Sequence, residues 1–178
     1  MSELQSSLSF KVMGFWFKVR DFFKPRGDVL KEAGIQPDAQ VLDFGCGPGG
    51  YIVPLSRMIG PYGKIYALDI NPQAIRSVKN VSSKNNLNNV DTILSDGKTG
   101  LPDMSMDFVL LYDVLHHLSQ PEDTLAELYR VLKPDGILTM SDHHMEDDEI
   151  TRVITAPGTF KLLRRGELAF YFTKVEQG

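Results

Sequence analysis

The sequence predicts a doubly wound α/β fold, a mostly parallel sheet wrapped by helices. Three observations predict it. Apolar, strand-length runs alternate with helix-length stretches from residue 39 onward. The run MDFVLLYD is apolar almost throughout, as a strand covered on both faces must be. A glycine-rich string, GCGPGG, stands where the first strand hands over to a helix.

The elements follow in order. Val12, Trp16, Val19 and Phe23 fall on one stripe of an α-helix, which Pro25 and Gly27 are expected to break. A short helix over 28–33 stops at Gly34. AQVLDFG is the first strand, and GYIVPLSRMI a helix with Gly60 past its end and Pro54 in its first turns. GKIYALDI is the second strand. Asn71-Pro72 then supplies an N-cap and an N1 proline for a helix to about Asn86. VDTILSD and MDFVLLYD are strands three and four, Pro121 opens a helix ending at Lys133-Pro134, and DGILTMSD is strand five. GTFKLLRRGELAFYFTKV has two apolar runs about a glycine-containing turn, a hairpin that sets one antiparallel strand into the sheet.

Composition narrows the class. At roughly 100–200 residues per domain, 178 residues predict one domain spanning 1–178. The single cysteine, Cys46, excludes a disulfide framework and a zinc site built on several thiolates. A net charge of −4 predicts no nucleic-acid partner. MSELQSSLSF lacks the basic and apolar regions of a signal peptide, and no apolar run reaches membrane-spanning length, so a cytoplasmic location is expected.

The chemistry concentrates in VLDFGCGPGG. Gly45, Gly47, Gly49 and Gly50 let the chain turn tightly and approach a ligand at the carboxyl end of the sheet, where the next helix offers free N–H groups. Gly45, Gly47 and Gly50 also satisfy G-x-G-x-x-G, so the string by itself does not separate a dinucleotide from other adenosine cofactors. Three carboxylates sharpen the choice. Asp43, two residues before Gly45, would repel a pyrophosphate but attract a sulfonium or amino group. Asp69 ends strand two, where an acid takes both ribose hydroxyls, a feature NAD shares. Asp96 is expected to end strand three and accept from an adenine amino group.

These residues resemble the motifs of class I S-adenosylmethionine-dependent methyltransferases over about residues 28–145. VLDFGCGPGG is similar to the family's first motif, ALDI to its ribose-binding acid, and ILSDGKTGLP to its adenine loop. FVLLYDVLHHL and LYRVLKPDGILTMSD resemble the fourth-strand motif and the helix-turn-strand signature after it. The resemblance implies a Rossmann-like seven-stranded sheet of order 3-2-1-4-5-7-6 with strand seven antiparallel, and S-adenosyl-L-methionine as cofactor. It implies that Gly45, Cys46 and Gly47 line the methionyl part, Asp69 holds the ribose and Ile70 packs on adenine. Asp96 and Gly97 would meet the adenine edge, Tyr112 and Asp113 the methionyl amino group or methyl, and Asp43 would orient the amino group.

A phenol, amine or carbon acid as acceptor also calls for a general base near neutral pH. His116, His117, His143 and His144 follow strands four and five, with His117 and His143 preferred as catalytic candidates. DHHMEDDE is not read as a metal site, because neighbours on one strand end do not converge. The Pro-Pro-aromatic signature of base and glutamine amino-group methylation is missing after strand four, where Tyr112-Asp113-Val114-Leu115 stands. No Pro-Cys nucleophile occurs, and a single thiol disfavours arsenic chemistry. A small-molecule acceptor remains, with the ubiquinone/menaquinone-biosynthesis methyltransferases the nearest in flavour. The alternatives are a non-catalytic cofactor-binding or scaffold protein and an NAD-dependent oxidoreductase.

The aromatic segment 8–24, within an N-terminal unit of 1–27, admits three readings: a lid over the site, a stripe packed on the domain or on a second subunit of a homodimer, or a basic-aromatic helix on a membrane surface. No long insertion supplies a separate substrate cap, so the acceptor site is expected to be shallow, completed by a partner, or open to a large acceptor.

Overall fold

A computed structural model describes residues 26–176. The aromatic stripe and its three readings fall on residues 1–25, outside the described residues. The elements are α1 (Arg26–Ala33), β1 (Gln40–Phe44), α2 (Ile52–Ile59), β2 (Lys64–Asp69), α3 (Pro72–Lys84), β3 (Val90–Leu94), β4 (Met106–Tyr112), a short 3-10 turn (Leu115–His117), α4 (Pro121–Val131), β5 (Leu132–Ser141), α5 (Asp147–Thr155), β6 (Phe160–Arg165) and β7 (Phe170–Lys174).

Most boundaries follow local chemistry. The Asn71 side chain accepts the Gln73 N–H at 2.8 Å, capping α3 behind Pro72. Gly34 closes α1 with φ +73°, and Gly60 closes α2 with φ +71°, conformations that favour glycine. Three boundaries differ from expectation. Helix α1 begins at Arg26 rather than at residue 28, so Gly27 lies in its first turn, where helix N–H groups lack intrahelical partners anyway. Strand β3 ends at Leu94, the partner of Asp69, because β2 offers no further ladder; Asp96 therefore sits in the loop beyond it. Strand β5 begins at Leu132, which pairs with Met106 before a register shift carries the ladder to Phe108 and Ile137.

The seven strands form one sheet of order β3-β2-β1-β4-β5-β7-β6. Neighbours from β3 to β5 pair in parallel, and β7 runs antiparallel to both β5 and β6. Alternation along each strand divides the core between two faces. Val41, Ile65, Phe108, Leu110 and Tyr171 pack with Leu30, Leu55, Ile59 and Val78 of α1–α3. Leu42, Leu68, Val109, Leu111, Phe170 and Phe172 pack with Leu125, Leu128, Ile150 and Ile154 of α4 and α5. Each such large side chain contributes roughly 1.5–3 kcal/mol by leaving water. The carboxyl ends of β1, β2 and β4 are thereby held as a rigid rim, and the order reverses beside β1, where a crevice opens.

Candidate functional site

The crevice is a cleft of about 1360 Å³ along that rim. Asp43, Gly45, Cys46, Gly47, Asp69, Ile70, Asp96, Gly97, Tyr112 and Asp113 all line it, as do His117 and His143. Residues distant in sequence meet because each lies at or just beyond the end of a strand, and those ends share one edge of the sheet.

The glycine turn is shaped by its neighbours. Gly45 has φ +75°, and a Cβ there would overlap the Val114 side chain. Gly47 has φ +51° with open space where a side chain would stand. The backbone N–H groups of Gly45 and Cys46 donate to the Leu68 carbonyl at 2.8 and 2.9 Å. Gly47 N–H donates to Asp69 Oδ2 at 2.8 Å, and Asn71 N–H to Asp69 Oδ1 at 2.8 Å. Each carboxylate oxygen keeps a further lone pair for a ligand hydroxyl. Ile70, 70% exposed, stands beside it on the cleft wall.

Asp43 lies in the middle of the sheet, beside Ala67 of β2 and Leu110 of β4. It is 3% exposed, and its Oδ2 has no hydrogen-bond partner among the described residues. Burial pushes its carboxyl up to about 7, the Arg26 guanidinium opposes that, and the Asp69 charge adds to it. Burial and the same two carboxylates push the Cys46 thiol up as well, away from nucleophilic reactivity. Tyr112, also raised by burial, bonds Thr139 Oγ1 through its hydroxyl at 2.7 Å. Its ring lies 5.0 Å from that of Tyr51.

Sequence reasoning missed three features of this site. Arg26 occupies the space that a Gly50 side chain would fill and rests over the Tyr51 ring, 5.0 Å from its centroid. Its only sequence signal is the absence of a Cβ at Gly50. At the far end of the cleft, Glu127 accepts Arg130 Nε and Nη2, each at 2.8 Å, and Thr99 Oγ1 at 2.6 Å. Third, two carboxylate–imidazole pairs cross between the ends of β4 and β5. Asp113 Oδ1 lies 2.6 Å from His143 Nδ1, and Asp142 Oδ2 lies 2.8 Å from His116 Nδ1. No group of three or more His, Cys, Asp or Glu among the described residues is placed to hold a metal ion.

The chain is similar to known proteins over most of the described residues. A family model of the methyltransferase domain matches residues 35–161. The chain belongs to that family. A solved S-adenosylmethionine-dependent methyltransferase from Aquifex aeolicus is 30% identical, with a TM-score of 0.78 covering 85% of this chain and 90% of that one. The demethylmenaquinone methyltransferase of Geobacillus stearothermophilus is 30% identical over 119 residues, 66% of this chain and 51% of that protein. The chain spans about half the length of the curated relatives it matches. The cyclase SpnF, 20% identical with a TM-score of 0.68 over 78% of this chain and 57% of its own, shares the fold alone.

The sheet order and antiparallel β7 are those expected of class I methyltransferases, whose cofactor is S-adenosylmethionine. The donor set suits that cofactor. A buried carboxylate oxygen without a partner, pushed up to about 7, is satisfied by a cationic ligand and opposes a pyrophosphate. The open side of Gly47 leaves room for a ligand against the backbone.

Among the described residues, no helix is long and apolar enough to cross a membrane.

Proposed function

We propose that the protein transfers the S-adenosylmethionine methyl group to a small-molecule acceptor by in-line displacement. The observation that carries this reading is the buried, unpartnered Asp43 oxygen beside the glycine turn, with Asp69 as its neighbour. The Asp43 carboxylate favours a ligand bearing an ammonium or sulfonium and disfavours NAD, whose pyrophosphate would lie against it, whereas Asp69 suits the ribose of either.

When bound, the cofactor supplies an activated methyl on a sulfonium, so the chain's own work is binding, orientation and exclusion of water. Asp43 orients the amino group, while Gly45, Cys46 and Gly47 line the methionyl part. Asp69 takes the ribose hydroxyls with the lone pairs its backbone contacts leave free. Ile70 packs on adenine, and Asp96 with Gly97 meets the adenine edge. Tyr112 and Asp113 border the methyl end, where His117 and His143 face the acceptor. The kinship with a demethylmenaquinone methyltransferase supports an organic small-molecule acceptor.

Thermal unfolding with S-adenosylmethionine, S-adenosylhomocysteine, NAD and NADP added separately tests the reading. A ligand at 100 times its Kd stabilises by about 2.7 kcal/mol, a rise of a few degrees for a chain of this size. The expected result is a shift with the two sulfur nucleotides alone. A shift with NAD alone, or with none of the four, overturns it.

A further inference from the structure

The crossed pairs at the ends of β4 and β5 are not equivalent. His143, with its Nδ1 on Asp113, is 47% exposed in its side chain. His116 is 19% exposed, and the Asp142 carboxylate beneath it is wholly buried at 0%. That carboxylate is also held on its other side. Its Oδ2 accepts the His116 backbone N–H at 3.3 Å, and its Oδ1 accepts that of His144 at 3.0 Å. Asp142 is thus fixed in place by the backbone of both loops, independently of the imidazole it faces.

The pairing sets the tautomer of His116. A carboxylate only accepts, so the Nδ1 facing Asp142 carries the hydrogen and Nε2 keeps the lone pair. The ring is also restrained by neighbours, 3.8 Å from the His117 ring and 4.4 Å from the His144 ring. The ionisable groups facing it are Asp142 and His144 from the β5 end and His117 from its own turn, with the Asp113–His143 pair alongside. Asp142 lends the buried negative charge that an imidazolium needs. An oriented, partly shielded imidazole with a free Nε2 in the wall of the cleft is the arrangement of a general base.

We propose that His116, positioned by Asp142, is the general base of methyl transfer, and that the acceptor is a neutral group that gives up a proton on methylation. The inference rests on the methyltransferase reading and deepens it. In the step, an electron pair of the acceptor atom becomes its bond to the methyl, and the proton that the acceptor gives up passes to Nε2 of His116. The C–S bonding pair stays on sulfur, and the sulfonium becomes a neutral sulfide. Asp142 remains ionised and is a positioning residue. An acceptor that is already an anion needs no base, which makes the role separable from folding.

Three measurements on the full chain test it. Nitrogen-15 correlation spectra of the imidazoles read the His116 tautomer directly. Nδ1–H is expected in the wild type and loss of that preference in Asp142→Asn, whereas an Nε2–H wild type overturns the proposal. Methyl transfer is then measured with catechol and with 4-nitrothiophenolate, which is ionised at neutral pH. His116→Gln is expected to lower kcat for catechol by about 100-fold or more, to remove the acidic limb of its pH profile and to leave the thiolate within about threefold. Equal losses on both acceptors, or a catechol loss that follows His143→Ala instead, overturn it. Calorimetry with S-adenosylhomocysteine separates the two readings. Binding without methylation of either acceptor overturns the base and acceptor class alone, whereas failure to bind overturns the methyltransferase reading and the base with it.

Discussion

The backbone N–H of Gly47 donates to Oδ2 of Asp69 across 22 residues of sequence, at 2.8 Å. This bond ties the turn after β1 to the end of β2, so the residue proposed to hold the ribose also shapes the loop proposed to hold the methionyl part. The two halves of the site are mechanically one.

Replacing Asp69 therefore removes more than a ligand contact. Asp69→Ala strips the partners from Gly47 and Asn71 N–H together with any bond to the ribose. Hydrogen bonds to a charged group contribute about 1.5–3 kcal/mol each, so the Kd for S-adenosylhomocysteine is expected to rise by about 10- to 100-fold or more. His143→Ala, on the acceptor side, is expected to leave that Kd within about threefold. Isothermal titration of both variants checks this, and equal losses would contradict the division of roles.

The Gly45 position tests the turn itself. Gly45→Ala adds a methyl that overlaps Val114 and forces an alanine into φ +75°. Together these are expected to cost about 2–4 kcal/mol in urea unfolding. Val114→Ala in the same chain relieves the overlap but not the backbone strain, so only part of the loss should return.

Asp43 predicts a dependence on pH with a definite sign. Its native carboxyl is raised from 3.8 to about 7, chiefly by burial, so between those values the folded chain holds a proton that the unfolded chain has lost. Stability from this group is therefore highest below about pH 4 and declines as pH rises through 7. Asp43→Asn should remove that decline and stabilise the ligand-free protein at pH 8, by at most about 4 kcal/mol. Binding of S-adenosylmethionine, whose amino group favours the ionised carboxylate, should instead strengthen from pH 5.5 to about 7 and release a proton. Calorimetry in buffers of different ionisation heat reads both effects, and a flat profile in the wild type would refute them.

Glu127 carries the opposite sign. The Arg130 bonds hold its carboxyl down to about 2, with burial opposing and Thr99 assisting. Its contribution is therefore full above about 4.5 and lost as pH falls towards 2. Glu127→Gln is expected to cost about 1–3 kcal/mol at pH 7 and much less at about pH 2, measured by urea titration at the two pH values.

How much of this was legible beforehand depends on the range of the interactions. Asn71-Pro72, Gly34 and Gly60 announced helix ends because caps and left-handed turns act within one or two residues. The unbroken apolar run through Leu110 and Leu111 announced a strand buried on both faces, because apolar character is legible residue by residue. Asp43 and Asp69 line the cleft, since a residue at a strand end in a parallel sheet lies on the carboxyl rim. Asp96 was placed on the cleft but not in β3, because a strand stops where its neighbour stops.

The sequence by itself determined the alternating elements, the glycine turn and the acids around it, each written in short-range spacing and residue chemistry. Only the tertiary structure decided which side chains meet across loops. Arg26 enters above Gly50, and His116 rather than His117 pairs with the buried Asp142. Asp113 and His143, 30 residues apart, pair because β4 and β5 align Tyr112 with Ser141. Such partners are set by strand register and loop packing, which depend on the whole core, and no local pattern in the chain records them.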